Sequence, residues 1–183
     1  MAKRLPTDEL REEHQAALDG FEGLRQALEG VRGGGGADGG GADESRAWAG
    51  LRKRLDEVRA LLLLHFRKEE DGLFPDVVSL VSRDAPRVDI LTHFFGEEAD
   101  DDLKAHTLLR GRLRELTEML EGEAAGLGDE AQPRLESLLG MSRDLLERHA
   151  AKEHKLVFPM IERLLDESQM AAAQDRMESL SRE

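Results

Sequence analysis

Residues 65–75 read HFRKEEDGLFP, and residues 149–159 read HAAKEHKLVFP. In both stretches a histidine is followed four residues later by a glutamate, a lysine precedes that glutamate, and Phe-Pro comes at the same offset. A motif repeated in this way indicates an internal repeat of one structural unit. Residues four apart lie on one face of a helix, one turn from each other, so the histidine and glutamate of each copy can reach a single metal ion.

Each copy of the motif is preceded by one isolated histidine, His14 for the first copy and His106 for the second. The chain therefore offers two sets of two histidines and one glutamate, which is enough to hold two metal ions. The six candidate metal ligands are His14, His65, Glu69, His106, His149 and Glu153.

The rest of the chain predicts an all-helical fold, because Ala, Leu, Glu and Arg dominate and no segment alternates with period two. Apolar residues recur in steps of three and four along four segments, which we name seams A to D. The seams run from Leu10 to Leu28, Leu51 to Leu73, Ala99 to Leu120 and Leu135 to Met160. Seam C passes through Leu103, and seam D passes through Leu145 and Leu156. All six candidate ligands lie on the seams, so we expect them to point into the core.

These seams predict one domain over residues 1–183, an up-down-up-down antiparallel four-helix bundle with its core in residues 7–165. The Gly-rich stretch 30–42 is expected to form a flexible loop between the first two helices, and residues 166–183 a tail or a short extra helix. The midpoints between successive ligand positions fall at about residues 40, 86 and 128, each inside a predicted break between helices. Antiparallel pairing about these breaks would bring all six ligands to one level.

Two prolines, Pro75 and Pro159, stand six residues beyond Glu69 and Glu153, still within apolar patterning. Proline lacks a backbone donor and its ring clashes with the preceding turn of a helix. The sequence therefore predicts a kink or a helix end at both positions, with the same geometry in each repeat.

The composition excludes several function classes. The chain has no cysteine, which excludes disulfides, thiolate metal sites and a cysteine nucleophile, and no tyrosine, which excludes a tyrosyl-radical function. A formal net charge of −13 disfavours binding to nucleic acid and to anionic membranes. Since no apolar run is long enough to span a bilayer, we expect a cytoplasmic protein with neither kind of partner.

Imidazole and carboxylate together suit iron, manganese and zinc. We expect His14 and His65 to bind one ion and His106 and His149 to bind the other, with Glu69 and Glu153 bridging the two. Each ion then has four protein donors, and a six-coordinate iron keeps positions open for small ligands.

A metal-free core is the alternative, because a single seam histidine is more often a satisfied core residue than a ligand. Six ionisable groups at one level of an apolar core would be very costly without a compensating cation. Off the seams, Lys68 and Lys152 are expected to be solvated, with support of the metal ligands as the alternative role. His93 and His154 have no assigned role. Ferritin-like sites use Glu-x-x-His, and no glutamate stands three residues before any of the four seam histidines.

The six ligands and the two Phe-Pro pairs resemble the hemerythrin-like, or HHE cation-binding, family of four-helix bundles. The resemblance implies a non-haem centre of two Fe ions, oxo- or hydroxo-bridged, with Zn or Mn as substitutes, that meets dioxygen, nitric oxide or peroxide. Oxygen-carrying hemerythrins have a second histidine where Arg110 stands here, and an aspartate instead of Glu153. The chain is more similar to the branch with two glutamates, which includes iron–sulfur cluster repair proteins and iron- or oxygen-responsive domains.

Three functions follow from this interpretation. The first is a di-iron protein that binds, senses or reduces small diatomic ligands or peroxide in stress or iron homeostasis. The second is an iron-binding sensor or storage module without catalysis, and the third is a metal-free helical interaction protein. The sequence does not decide whether the chain is an enzyme.

Overall fold

The computed structural model describes residues 4–33, 40–83, 89–122 and 131–183, with side chains over 4–31, 45–79, 103–121 and 132–183. All regular structure in these ranges is helical, which confirms the predicted all-α class. Seven α-helices and two π-helical turns follow one another: α1 (Pro6–Gly33), α2 (Gly40–Arg67), the first π turn (Lys68–Leu73), α3 (Phe74–Arg83), α4 (Asp89–Gly122), α5 (Ala131–Lys152), the second π turn (Glu153–Val157), α6 (Phe158–Leu164) and α7 (Glu167–Leu180).

The four long helices pack in a closed ring. Helix α1 contacts α2 and α5, and α4 contacts the same two helices. Their buried residues form one apolar cluster that includes Phe21, Leu55, Leu113 and Leu139. None of the described helices combines the length and the apolar composition needed to cross a bilayer.

The predicted seams hold along α1 and α2, where every member is buried, and along α4 from His106 to Leu120. Leu103, at the start of seam C, is instead exposed. Seam D is wrong at three positions, since Leu146, Val157 and Ile161 are buried in place of Leu145, Leu156 and Met160. The second π turn explains the last two changes, because it accommodates one extra residue and moves the inward position along by one.

Each proline of the repeated motif follows a π turn. The N–H of Phe74 donates to the carbonyl of Glu69, and the N–H of Phe158 donates to that of Glu153, both across five residues. The wider turn takes up the backbone change that proline forces, so the chain continues as helix after it. The two repeats thus share one local geometry, as the sequence predicts.

The expected Gly-rich loop is shorter than the stretch 30–42. Helix α1 continues through Gly33 and α2 begins at Gly40, so residues at both ends of the stretch are helical. The remainder, 34–39, lies outside the described residues.

The C-terminal segment forms helix α7, which begins with a capping box between Asp166 and Gln169. Met170, Ala173 and Met177 bury one face of this helix. They join a second apolar cluster, which is completed by Leu10, Leu73, Phe74, Val77, Val157, Phe158, Ile161 and Leu165. Because this cluster contains residues of both π turns, it supports the end of the molecule where the motif glutamates lie.

Helices α1 and α2 approach closely at Gly20, where an added Cβ would lie 2.5 Å from Val58 Cγ2. Valine is stiff at χ1 and cannot easily give way. We expect Gly20→Ala to lower the free energy of unfolding by about 1–3 kcal/mol, measured by urea denaturation. Gly50→Ala is the control, since a Cβ at this position would meet nothing within 4 Å. This substitution should raise the free energy of unfolding by about 0.5–1 kcal/mol. Equal effects of the two substitutions would contradict the close approach.

Candidate metal centre

The structure brings all six predicted ligand side chains together in the interior. Helices α1, α2, α4 and α5 each contribute one histidine, and each π turn contributes one glutamate. The residues are His14, His65, Glu69, His106, His149 and Glu153, none more than 4% exposed. They form two overlapping groups of donors, one of His14, His65, His149 and Glu153 and the other of Glu69, His106, His149 and Glu153. In each group the donor atoms lie within 4.8 Å of one another.

The four histidines form two close pairs. Nε2 of His14 lies 3.0 Å from Nε2 of His65, and Nε2 of His106 lies 3.2 Å from Nε2 of His149. Two imidazole nitrogens that face each other share at most one proton. Two donors at right angles on one ion, each about 2.1 Å away, would also lie about 3 Å apart. The spacing of both pairs therefore fits two metal-binding positions.

The two glutamates link the histidine pairs. The Oε1 atom of Glu69 lies 3.2 Å from His65 Nε2, and its Oε2 atom lies 3.1 Å from His106 Nε2. One oxygen of Glu153, Oε2, lies 3.1 Å from His14 Nε2 and 3.5 Å from His149 Nε2. Both carboxylates thus face one histidine of each pair, Glu69 with a different oxygen toward each histidine and Glu153 with the same oxygen toward both.

The electrostatics of this cluster also fit a cation. Burial raises the pKa of Glu69, but the imidazoles of His65 and His106 outweigh burial and hold that pKa well below its usual range. Burial lowers the pKa of His65, but Glu69 and Glu13 outweigh it and raise the pKa to about 9. Burial and the neighbouring His65 lower the pKa of His14 well below its usual value. The buried carboxylates therefore require positive charge beside them, which protons or metal ions can supply.

Two carboxylates that the sequence analysis missed hold the outer nitrogens of two histidines. His65 Nδ1 donates to Glu13 Oε2 at 3.1 Å, and His106 Nδ1 donates to Glu70 Oε1 at 2.8 Å. Such bonds fix the tautomer and ring orientation of a metal-binding histidine. Glu13 and Glu70 directly neighbour the seam residues His14 and Glu69, but their partners lie on other helices, so no sequence pattern indicates these pairs.

Each of these two carboxylates forms an ion pair with a cationic side chain. Lys68, which we expected to be solvated, is only 4% exposed, and its ammonium forms ion pairs with Glu13 and, at 2.6 Å, with Glu9. The prediction fails because α1 covers this flank of the π turn. Burial lowers the pKa of Lys68, but the two carboxylates raise it by more, so the ammonium stays charged.

On the other side, Arg110 makes two hydrogen bonds of 2.9 Å to the two oxygens of Glu70. Its guanidinium also lies over the ring of Phe66, 5.0 Å from the centroid, and Phe66 stacks on His106 at 4.2 Å between ring centroids. Arg110 therefore anchors the carboxylate that holds His106. Oxygen-carrying hemerythrins resemble this chain but have a second histidine at the position of Arg110. In this chain Arg110 instead supports His106, another candidate ligand, through Glu70.

The other two histidines and Lys152 do not belong to the six candidate ligands. His154, left unassigned by the sequence, is half-buried and places Nε2 3.2 Å from His14 Nδ1. The side chain of His93 lies outside the described residues. Lys152 is half-buried, and burial lowers its pKa, so the expectation of a fully solvated ammonium is wrong there as well.

The family model of the hemerythrin HHE cation binding domain matches residues 5–161. The chain belongs to this family. The match runs from α1 into α6 and includes all six candidate ligands, and it ends before α7. No curated protein matches the chain. As an HHE domain it is a cation-binding protein, and the buried histidine–glutamate cluster is the part of the described structure that fits a metal site.

Metal binding to this HHE domain should release protons. Metal-binding imidazoles must be neutral, whereas a pKa of about 9 keeps His65 protonated at neutral pH in the metal-free protein. Apparent metal affinity should therefore fall as pH decreases below that pKa. Calorimetric titration with Zn²⁺ in two buffers of different ionisation enthalpy should show about one proton or more released per chain at about pH 7, and less at about pH 10. No release at the lower pH would contradict the assignment of the proton to His65.

Lys68 should stabilise the metal-free HHE domain. Lys68→Met keeps the aliphatic stem but leaves Glu9 and Glu13 together without their shared cation. We expect a loss of about 1–3 kcal/mol in the free energy of unfolding, since the pair is largely buried, measured by urea denaturation after metal removal. The control is Lys53→Met on α2, because Lys53 is 80% exposed and lies 3.8 Å from Glu57; its effect should stay within about 0.5 kcal/mol. A loss no larger for Lys68 than for Lys53 would show that the buried ion pairs contribute nothing.

Proposed function

We propose that the HHE domain binds two iron ions between its four long helices. His14 and His65 would hold one ion, His106 and His149 the other, and Glu69 and Glu153 would bridge them. The paired Nε2 atoms, 3.0 and 3.2 Å apart inside an apolar core, carry this proposal. The arrangement supplies four protein donors to each ion.

The charges around the site support two divalent ions. Four carboxylates face the histidines: Glu69 and Glu153 directly, and Glu13 and Glu70 through the outer nitrogens of His65 and His106. Two divalent ions would bring positive charge to Glu69 and Glu153, whereas Lys68 and Arg110 already pair with Glu13 and Glu70. Imidazole and carboxylate donors suit iron and manganese as well as zinc, and Zn or Mn would be the substitutes for iron.

We further propose an up-down-up-down antiparallel topology for α1, α2, α4 and α5, as one domain over residues 1–183 with its core in 7–165. The closed ring of helix contacts and the convergence of one histidine from each helix support it. In such a bundle, side chains from facing helices meet at a common level. The site is then built by the packing of the bundle itself.

The proposed activity is to bind, sense or reduce dioxygen, nitric oxide or peroxide in stress or iron homeostasis. Iron with four protein donors would supply open coordination positions for such ligands. The site residues are at most 4% exposed, which favours ligands of two or three atoms over larger substrates. The two glutamates and the Glu70-bound Arg110 support our proposal that the chain belongs to the two-glutamate branch. The net charge of −13 supports a cytoplasmic protein that binds neither nucleic acid nor membranes.

An iron-binding sensor or storage module without catalysis is the second candidate. The depth of the site favours it, because buried ligands with anchored outer nitrogens retain a metal ion well. Turnover of peroxide or nitric oxide by the iron-loaded protein separates the two candidates. The apo- and iron-loaded forms would differ in stability in either case.

The first experiment is elemental analysis of protein expressed with iron, paired with absorption spectra before and after reduction. We expect about two iron ions per chain and a near-ultraviolet band that reduction bleaches. Glu69→Gln, which keeps the side-chain shape but loses a bridging charge, should reduce the iron content to about one ion or less. Glu57→Gln is the control, since Glu57 is 63% exposed on α2, the helix that precedes the first π turn.

Absence of stoichiometric metal from the wild-type protein, even after anaerobic iron reconstitution, would overturn the proposal. In that case His65→Ala should leave stability unchanged or improved, as expected of a metal-free helical interaction protein. A metal-dependent loss of stability in His65→Ala would instead support the assignment of His65 as a ligand.

A further inference from the structure

Helix α7 lies outside the matched family domain, yet it packs directly against part of the candidate metal centre. The family match ends at residue 161, and α7 begins at Glu167. Helix α7 packs mainly against the first π turn. This turn carries Glu69, the glutamate whose two oxygens face His65 and His106.

One contact of α7 is to the backbone of the π turn. The guanidinium of Arg176 donates to the carbonyl of Gly72 from Nε at 3.0 Å and from Nη2 at 2.7 Å, and it also pairs with Asp76. A charged donor with two parallel N–H groups fixes both the position and the direction of its acceptor. Arg176 therefore restrains the backbone three residues after Glu69 and connects it to α3.

The same surface is closely packed. Gly72 is buried, and a Cβ at this position would lie 2.7 Å from Met177 Cγ. Met177 is fully buried and belongs to the second apolar cluster. The absence of a side chain at Gly72 thus lets α7 approach the π turn to the distance at which Arg176 reaches its carbonyl.

A second contact leads to the other ligand of the first motif. Gln174 donates to Glu9 Oε2 at 3.1 Å, and Glu9 shares the Lys68 ammonium with Glu13. Glu13 in turn accepts the Nδ1 proton of His65. A continuous chain of polar contacts therefore runs from α7 to His65.

The second π turn is supported differently. Its main contacts are with α5 and α6, the helices that flank it in the chain. The polar side chains of Arg176 and Gln174 join α7 to the first motif, with His65 and Glu69. The two π turns thus share a sequence pattern but have different principal neighbours.

We propose that α7 is a positioning element for the metal centre, in which Arg176 and Gln174 hold the first π turn so that Glu69 and His65 face the ions. This inference rests on the proposed function, because it assigns α7 a role in metal binding. A displacement of α7 would release the carbonyl of Gly72 and the carboxylate of Glu9, and it would loosen one bridging ligand and one histidine together. Retention of the metal would then depend on a helix that is not part of the matched domain.

The test uses the full chain loaded with Co²⁺, whose absorption bands report ligand geometry, and measures metal release to an excess of chelator. Arg176→Ala should shift the Co²⁺ bands and accelerate release about tenfold, the usual effect of removing a residue that orients a metal ligand. Arg176→Lys, which retains the charge and one donor, should give an intermediate rate. Gln174→Ala, a change at a half-buried position, should accelerate release by a smaller factor and provides a test if Arg176→Ala folds poorly.

Two controls separate positioning from general stability. Arg182→Ala removes an exposed side chain just beyond the end of α7, which forms an ion pair with Glu178 of that helix, and this variant should release Co²⁺ like the wild type. Met170→Ala removes a buried apolar contact of α7, and should lower the stability of the metal-free protein without shifting the Co²⁺ bands. If the wild type binds Co²⁺ normally but Arg176→Ala has the same spectrum and release rate as Met170→Ala, the positioning role of α7 is overturned. The proposed metal site would not be affected by that result. A wild-type protein that binds no Co²⁺ and no iron would overturn the proposed function.

Discussion

The structure depends on the burial of four imidazoles and two carboxylates at the centre of an apolar bundle. An isolated charge in such a place costs far more than any single apolar contact returns. The interior can therefore hold these groups only as a mutually neutralising cluster, with protons or metal ions between the nitrogens and oxygens. The close Nε2 pairs of His14 with His65 and of His106 with His149 show that the packing of the helices already provides the spacing that a cation needs.

Charges alternate outward from this cluster. The histidines are followed by carboxylates, represented by Glu13 and Glu70, and the carboxylates by cations, represented by Lys68 and Arg110. Each layer compensates the one inside it, because burial raises the cost of every uncompensated charge. Arg110 also covers the ring of Phe66, which stacks on His106. Arg110 thus contacts both neighbours that hold His106, the ring of Phe66 and the carboxylate of Glu70.

The two π turns reconcile the motif with the bundle. A π turn widens the helix by one residue, and this allows Phe74-Pro75 and Phe158-Pro159 to follow without ending the chain's helical path. It also changes which side chains face inward, as Val157 replaces Leu156 in the core. The first turn leaves the carbonyl of Gly72 for Arg176 of α7. A local irregularity required by proline is thereby connected to a helix that is distant in sequence.

The sequence by itself predicted the helical class and the six side chains that meet in the interior. It could do so because side chains repeat with a fixed period along a helix, so that His65 and Glu69 must share a face whatever surrounds them. The same rule predicted that Leu145 and Leu156 face inward, but Leu146 and Val157 do so instead. Steps of three and four are compatible with either choice, and the sequence pattern does not reveal a π turn. Only the tertiary structure decided that Lys68 is buried, that Glu13 and Glu70 hold histidines of other helices, and that α7 packs on the first π turn. These contacts depend on which helix covers the flank of another, and that is fixed by the packing of distant segments.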